Sequence, residues 1–144
     1  MKKFFLVIVI IVIAISAVVF FEYKEYQTKK REIESFNAQY EMYNKEDING
    51  LDVISVINKA TSNNEKYEIP KDENGIYLLD EEYSIEIFVV LELDELTLNM
   101  EKIISSDITN FVRHFGEIDF KCSEITYHEK TGRVATMTFI AEEY

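Results

Sequence analysis

The two histidines, His114 and His128, and the single cysteine, Cys122, are the side chains of this 144-residue chain best suited to general-base, nucleophilic or metal chemistry. Their spacing does not organise them for it. Neither histidine forms a His-x-x-x-His pair, and no Cys-x-x-Cys exists, so a zinc site would have to gather its ligands from distant segments. No neighbouring residue marks either histidine as a general base. His114 falls near a helix end, where an imidazolium suits the terminal carbonyls, and His128 falls in a hairpin. Cys122 alternates with Phe120 in a strand-like run and reads as a buried small hydrophobe, with an intermolecular disulfide or a reactive thiol as the alternatives. One cysteine allows no internal disulfide.

The acidic clusters are no more specific. Asp72-Glu73-Asn74-Gly75 looks like part of a calcium loop but lacks the spaced oxygens and the bidentate Glu at the twelfth position, so after Pro70 it reads as a turn. Asp80-Glu81-Glu82 and Asp94-Glu95 stand at strand ends. Paired carboxylates can serve a hydrolase, but in a chain with 27 acidic residues such pairs arise without function. There is no Gly-rich phosphate loop and no Gly-x-Ser-x-Gly elbow, and only four glycines occur in all. The sequence therefore nominates no catalytic residue, no metal ligand and no cofactor, and the expectation is a protein that is not an enzyme.

The elements that carry these residues begin with Phe4 to Phe21, an apolar run of eighteen residues after Lys2 and Lys3 and before Glu22. As a helix it spans roughly 27 Å, close to the hydrocarbon thickness of a bilayer, and lipid leaves a helix as the only way to satisfy its backbone. The two lysines favour a cytoplasmic N-terminus and export of the rest. A cleaved signal peptide, cut after Ala14-Ile15-Ser16, is the competing reading. Val18, Val19, Phe20 and Phe21 continue the apolar run past that point and favour a retained anchor.

Beyond position 21 lie all 27 acidic residues and 13 of the 15 basic ones, leaving the exported part at −14. That field repels nucleic acid and anionic head groups, so nucleic-acid binding is not expected. It serves solubility or, more specifically, docking to a basic partner or to cations.

Residues 22–47 read as a juxtamembrane helix and 48–144 as one exported α+β domain with a mostly antiparallel sheet. Tyr26, Ile33, Phe36, Tyr40 and Tyr43 form one helical stripe that could pack on the domain's own sheet, pair with a second copy or meet a partner. Phe36, Tyr40 and Tyr43 are its candidate interaction residues. The helix is expected to stop between Lys45 and Ile48, and Asn49 to cap a second helix with Val53, Val56, Ile57 and Ala60 inside and Asn63-Asn64 at its end. Short strands follow at Tyr67–Ile69 and Ile76–Leu79, then a strong one from Ser84 to Asp94. Thr97 or Asn99 caps a third helix, breakable at Ser105-Ser106-Asp107. Ile118 to Tyr127 and Val134 to Ala141 close the chain as a hairpin around Lys130-Thr131-Gly132.

Two resemblances follow. Phe36-Asn37-x-x-Tyr40-Glu41-x-Tyr43, Ile48-Asn49-Gly50-x-Asp52-Val53-x-x-x-Ile57-Asn58-Lys59-Ala60, Asn63-Asn64, Phe120-x-Cys122-x-x-Ile125-x-Tyr127-His128 and Thr131-Gly132 resemble a pattern in small single-pass membrane proteins of clostridia and related bacteria. That resemblance implies a cell-membrane location and no particular activity. The lysine-led apolar helix leading into a small domain also resembles type IV pilins and pseudopilins. The chain departs from them in having no Gly before Gly50 and no acidic residue before Glu22. The expectation is a structural or protein-interaction component of the cell envelope. A pilin-like subunit assembled through its N-terminal helix is the alternative, and an enzyme with an unrecognised site built on carboxylates or His128 is the third reading.

Overall fold

The computed structural model describes residues 2–143. Contacts divide the chain into two compact units, one ending at Ser35 and the other beginning at Phe36. Helix α1 runs from Lys2 to Glu41. Its stretch from Phe4 to Phe21 is exposed at every position, with no polar face. The hydroxyl of Ser16 donates to the carbonyl of Val12 (2.8 Å), so the polar atom within the run is satisfied inside the helix. Among the described residues this is the one helix long and apolar enough to cross a membrane, with a mean hydropathy of 3.4 over its most apolar window.

The second unit is an α+β domain. After α1 come strand β1 (Ile48–Asn49), helix α2 (Gly50–Lys66), strand β2 (Glu86–Leu91), a 3-10 turn at Glu92–Asp94 and strand β3 (Leu96–Asn99). Helices α3 (Met100–Ser105) and α4 (Ile108–Phe115) and the hairpin β4 (Asp119–Tyr127) and β5 (Val134–Ala141) complete it. The sheet order is β1-β4-β5-β2-β3. Its central pair, β2 with β5, is parallel, from Glu86 opposite Thr136 to Leu91 opposite Ala141, whereas the other pairings are antiparallel. The sheet is therefore mixed.

Local chemistry explains most boundaries. The side chain of Asn49 accepts the backbone N–H of Asp52 (2.9 Å), and that of Asn99 accepts the N–H of Lys102 (3.0 Å), so both are N-caps. The expected break falls at Ser106-Asp107, where Asp107 takes a positive φ and its carboxylate caps α4 through Thr109. Gly50 is required where α2 begins. A Cβ there would sit 1.9 Å from the carbonyl oxygen of Phe115, so only glycine lets the α2 start and the α4 end approach this closely.

Several expectations need correction. Helix α1 ends at Glu41, a few residues early, as the chain turns through Met42–Asn44. Tyr67–Ile69 is the exit from α2, with Glu68 at positive φ, and Ile76–Leu79 contributes only an isolated bridge between Lys71 and Tyr77. Leu96–Asn99 adds an edge strand where a helix cap alone was expected, and the strong strand stops at Leu91, leaving Leu93 exposed. Asn63 and Asn64 do not terminate α2, which continues to Lys66. Both are buried, and Asn64 is fully so.

The core lies between the sheet and α2, α3 and α4. Ile85, just before β2, and Ile87, Val89 and Leu91 of its inner face join Val53, Val56, Ile57 and Ala60 of α2 there, together with residues such as Phe111, Phe120, Met137 and Phe139. At about 25 cal/mol per Å² of apolar surface, such side chains each contribute on the order of 1.5–3 kcal/mol on burial.

Candidate functional site

Tyr40 and Tyr43 are buried in the domain core, at 2% and 8% exposure, and Phe36 packs half-buried against it. Burial pushes the Tyr40 phenol up to about 12, opposed by the nearby charge of Arg133. The stripe thus fastens the end of α1 to its own domain. What faces outward beside it is a groove of about 490 Å³ between the end of α1, helix α2 and the start of β5.

Arg133 lines that groove. Its guanidinium carbon lies 3.7 Å from the ring centroid of Phe36, 4.7 Å from Tyr67 and 5.3 Å from Tyr83. Tyr67 and Tyr83 stack on one another, with centroids 4.5 Å apart and planes inclined by 9°. Nη1 donates to the Tyr67 hydroxyl (2.8 Å) and Nη2 to Asn63 Oδ1 (3.1 Å), while Nε, sealed from solvent, has no acceptor. Cation–π contact of this kind contributes about 0.5–2 kcal/mol per ring.

Two asparagines hold this arrangement. Asn37, on the last turns of α1, donates to the carbonyl of Gly132 (2.8 Å) and accepts the N–H of Val134 (3.0 Å), gripping the backbone on both sides of Arg133. Asn64 does the same for Ile85, accepting its N–H and donating to its carbonyl, both at 2.8 Å. Asn63 joins the two by donating to the carbonyl of Tyr83 (2.7 Å) while receiving Arg133. Side-chain amides buried in this way must find partners, and these do.

Two lysines complete the groove wall. Lys59 Nζ lies 4.8 Å from the Tyr43 ring centroid and reaches the carbonyl of Gln39 and the Tyr43 hydroxyl, at 3.4 and 3.3 Å. Lys66 Nζ lies 5.3 Å from the Tyr67 ring centroid. No acidic residue lines this groove. A second groove, at the β1–β4 edge, is lined by Glu46, Glu117, Asp119, Glu142 and Glu143, with Lys121 paired to Glu142.

The other candidates are dispersed. His128 is buried, its Nε2 donating to the carbonyl of Ser84 (2.7 Å), and braces the hairpin turn through backbone bonds to Arg133 and Gly132. His114 contacts the carbonyl of Asn110 through Nδ1 at the exposed end of α4. Burial pushes the half-buried Cys122 thiol up, outweighing the opposing effect of a backbone hydrogen bond with Glu124. Asp72 forms the expected turn, its carboxylate held low chiefly by the N–H of Ile76. Asp80 works against its own partial burial by accepting the N–H groups of Ser84, Tyr83 and Glu82. Among the described residues no group of three or more His, Cys, Asp or Glu is gathered as metal ligands would be.

Sequence reasoning missed Arg133. It stands as an isolated cation after a hairpin glycine, and only the tertiary fold brings it to Phe36, Asn63 and Tyr67. Lys59 and Lys66, seven residues apart on one helix, did carry a signal, because that spacing places them on one face. In comparisons with known proteins, no family model, no curated protein and no solved structure matches the chain.

Proposed function

We propose that the protein is a single-pass component of the cell membrane, held by Phe4–Phe21 with its N-terminus in the cytoplasm, whose exported acidic domain has a structural or protein-interaction role in the envelope rather than a catalytic one. The observation that carries this reading is the eighteen-residue run, apolar but for Ser16, exposed around the full circumference of a helix. Water offers such a surface no stable partner, and lipid does. Lys2 and Lys3 support the orientation through the positive-inside tendency.

The experiment is alkaline extraction of membranes followed by protease treatment of intact cells from which the wall has been removed. Retention in the pellet, with the C-terminal domain digested from outside, is the expected outcome. Release into the supernatant overturns the anchor, and a protected domain overturns the orientation. The pilin-like alternative draws on the continuity of α1 from the apolar run to Glu41. Cross-linking in native membranes separates the two readings. A ladder of self-linked species favours an assembled subunit, and one dominant foreign protein favours an accessory role.

A further inference from the structure

We infer that the groove beside Arg133 binds a multiply charged anion of the phosphate class. Three cations, Lys59, Lys66 and Arg133, line it without a single acidic residue, in a chain whose formal net charge is −12. Among the described residues none of the three forms an ion pair, whereas Lys121 and Lys130 are paired with Glu142 and with Glu81 and Glu82. Glu65, the sequence neighbour of Lys66, lines a different cavity. In so acidic a chain, a groove with three cations and no counter-charge is a place of local positive potential, and low-dielectric aromatic walls focus it.

The surroundings are built to keep the charge in place. Arg133 is stacked against three rings, hydrogen-bonded only to neutral acceptors, and its backbone is gripped on both sides by Asn37. A guanidinium held so firmly loses little freedom when an anion arrives. Along α2, Asn58, Ser62 and Lys66 follow one another at four-residue spacing, forming a ridge of hydrogen-bond donors beside the cations. Three positive charges and several neutral donors match a phosphate or pyrophosphate better than a single carboxylate. A volume of about 490 Å³ accommodates either a free phosphate compound or a phospholipid head group. This inference does not depend on the membrane reading, because it concerns residues of the second unit alone.

The test uses the full chain in neutral detergent, titrated with inorganic pyrophosphate and followed by calorimetry and by amide resonances. One saturable site is expected, with resonance shifts confined to α2 and residues 131–134 and at least tenfold weaker binding in the double variant Lys59→Gln, Lys66→Gln. The control Lys121→Gln, Lys130→Gln removes equal charge from paired lysines and leaves the affinity unchanged. Equal loss in both variants, or no saturation, overturns the site. If loss of the Lys59 contacts unfolds the domain, Ser62→Asp with Lys66→Gln carries the same test. Nanodiscs of phosphatidylcholine, with and without phosphatidylglycerol, then distinguish the sources. Movement of the same resonances on adding the anionic lipid assigns a head group, and movement with pyrophosphate alone assigns a soluble phosphate.

Discussion

Phe4–Phe21 and the stripe of Phe36, Tyr40 and Tyr43 are both apolar. In the first, Phe4 is 74% exposed and even Val9 remains 39% exposed, whereas in the second Tyr40 retains 2%. The difference lies in distribution around the helix. A run that is apolar on every side has no preferred face to turn toward a core, and its favourable environment must surround it. A stripe three and four residues apart has a solvated back, occupied here by residues such as Ala38 and Glu41, and can bury one side while exposing the other. Total hydrophobicity therefore says less about a segment's destination than its angular spread.

The largest effect comes from spoiling the first segment. Replacing Ile11 and Ile15 with Asp places two charges near the centre of the run, each costing about 2.5–3.5 kcal/mol of insertion. The protein should move from the membrane pellet to the soluble fraction while the domain's thermal unfolding stays unchanged. A pelleted variant would show that the run is not what holds the protein there. The complementary change is Tyr40→Ala, which removes a buried ring and should lower domain stability by about 3–5 kcal/mol in urea unfolding without altering membrane retention. Unchanged stability combined with a lost cross-linked partner would move the stripe from the packing side of the comparison to the interaction side.

Asn64→Ala sharpens the contrast within the domain. It strands the N–H and carbonyl of Ile85 in a buried position, at about 1–3 kcal/mol for each unsatisfied group, and should lower stability by roughly 2–4 kcal/mol. Hydrogen exchange at Ile85 and Glu86 should accelerate more than at β4. The smallest effect belongs to Glu86. Partial burial, with the neighbouring charge of Glu101, raises its carboxyl above the ordinary value of 4.5. Because the folded value is the higher one, the contribution of this group is fully present below 4.5 and declines as pH rises through the folded value. Glu86→Gln removes that decline. The variant should match the parent in acid and exceed it at neutral pH, by only a few tenths of a kcal/mol after solvent screening.

Much of the fold was legible wherever the signal was local. The caps at Asn49 and Asn99, the break at Asp107 and the closing hairpin each depend on residues within a few positions of one another. The parallel pairing of β2 with β5 was not legible, because it joins segments some fifty residues apart through two helices and two strands. The same holds for the groove. Phe36 was visible as part of a stripe, but nothing near Arg133 announces that it would stack on that ring. Asn63 and Asn64 misled because asparagine commonly ends helices. Buried, their amides do something that backbone propensity does not describe.

That use of Asn64 bears on how the chain reaches its native pairing. Parallel strands are slow to find one another, since loop closure must precede any gain from contact. Asn64 offers Ile85 the acceptor and donor that a neighbouring strand would supply, and it does so from only twenty-one residues away. Helix α2 can thereby mark where β2 begins before β5 has arrived. A shift of β2 by one residue would exchange Ile87 and Val89 for Phe88 and Val90 on the inner face and would release both bonds at once. A single side chain on a helix thus acts as the index mark for a sheet, tying the register of β2 to helix α2.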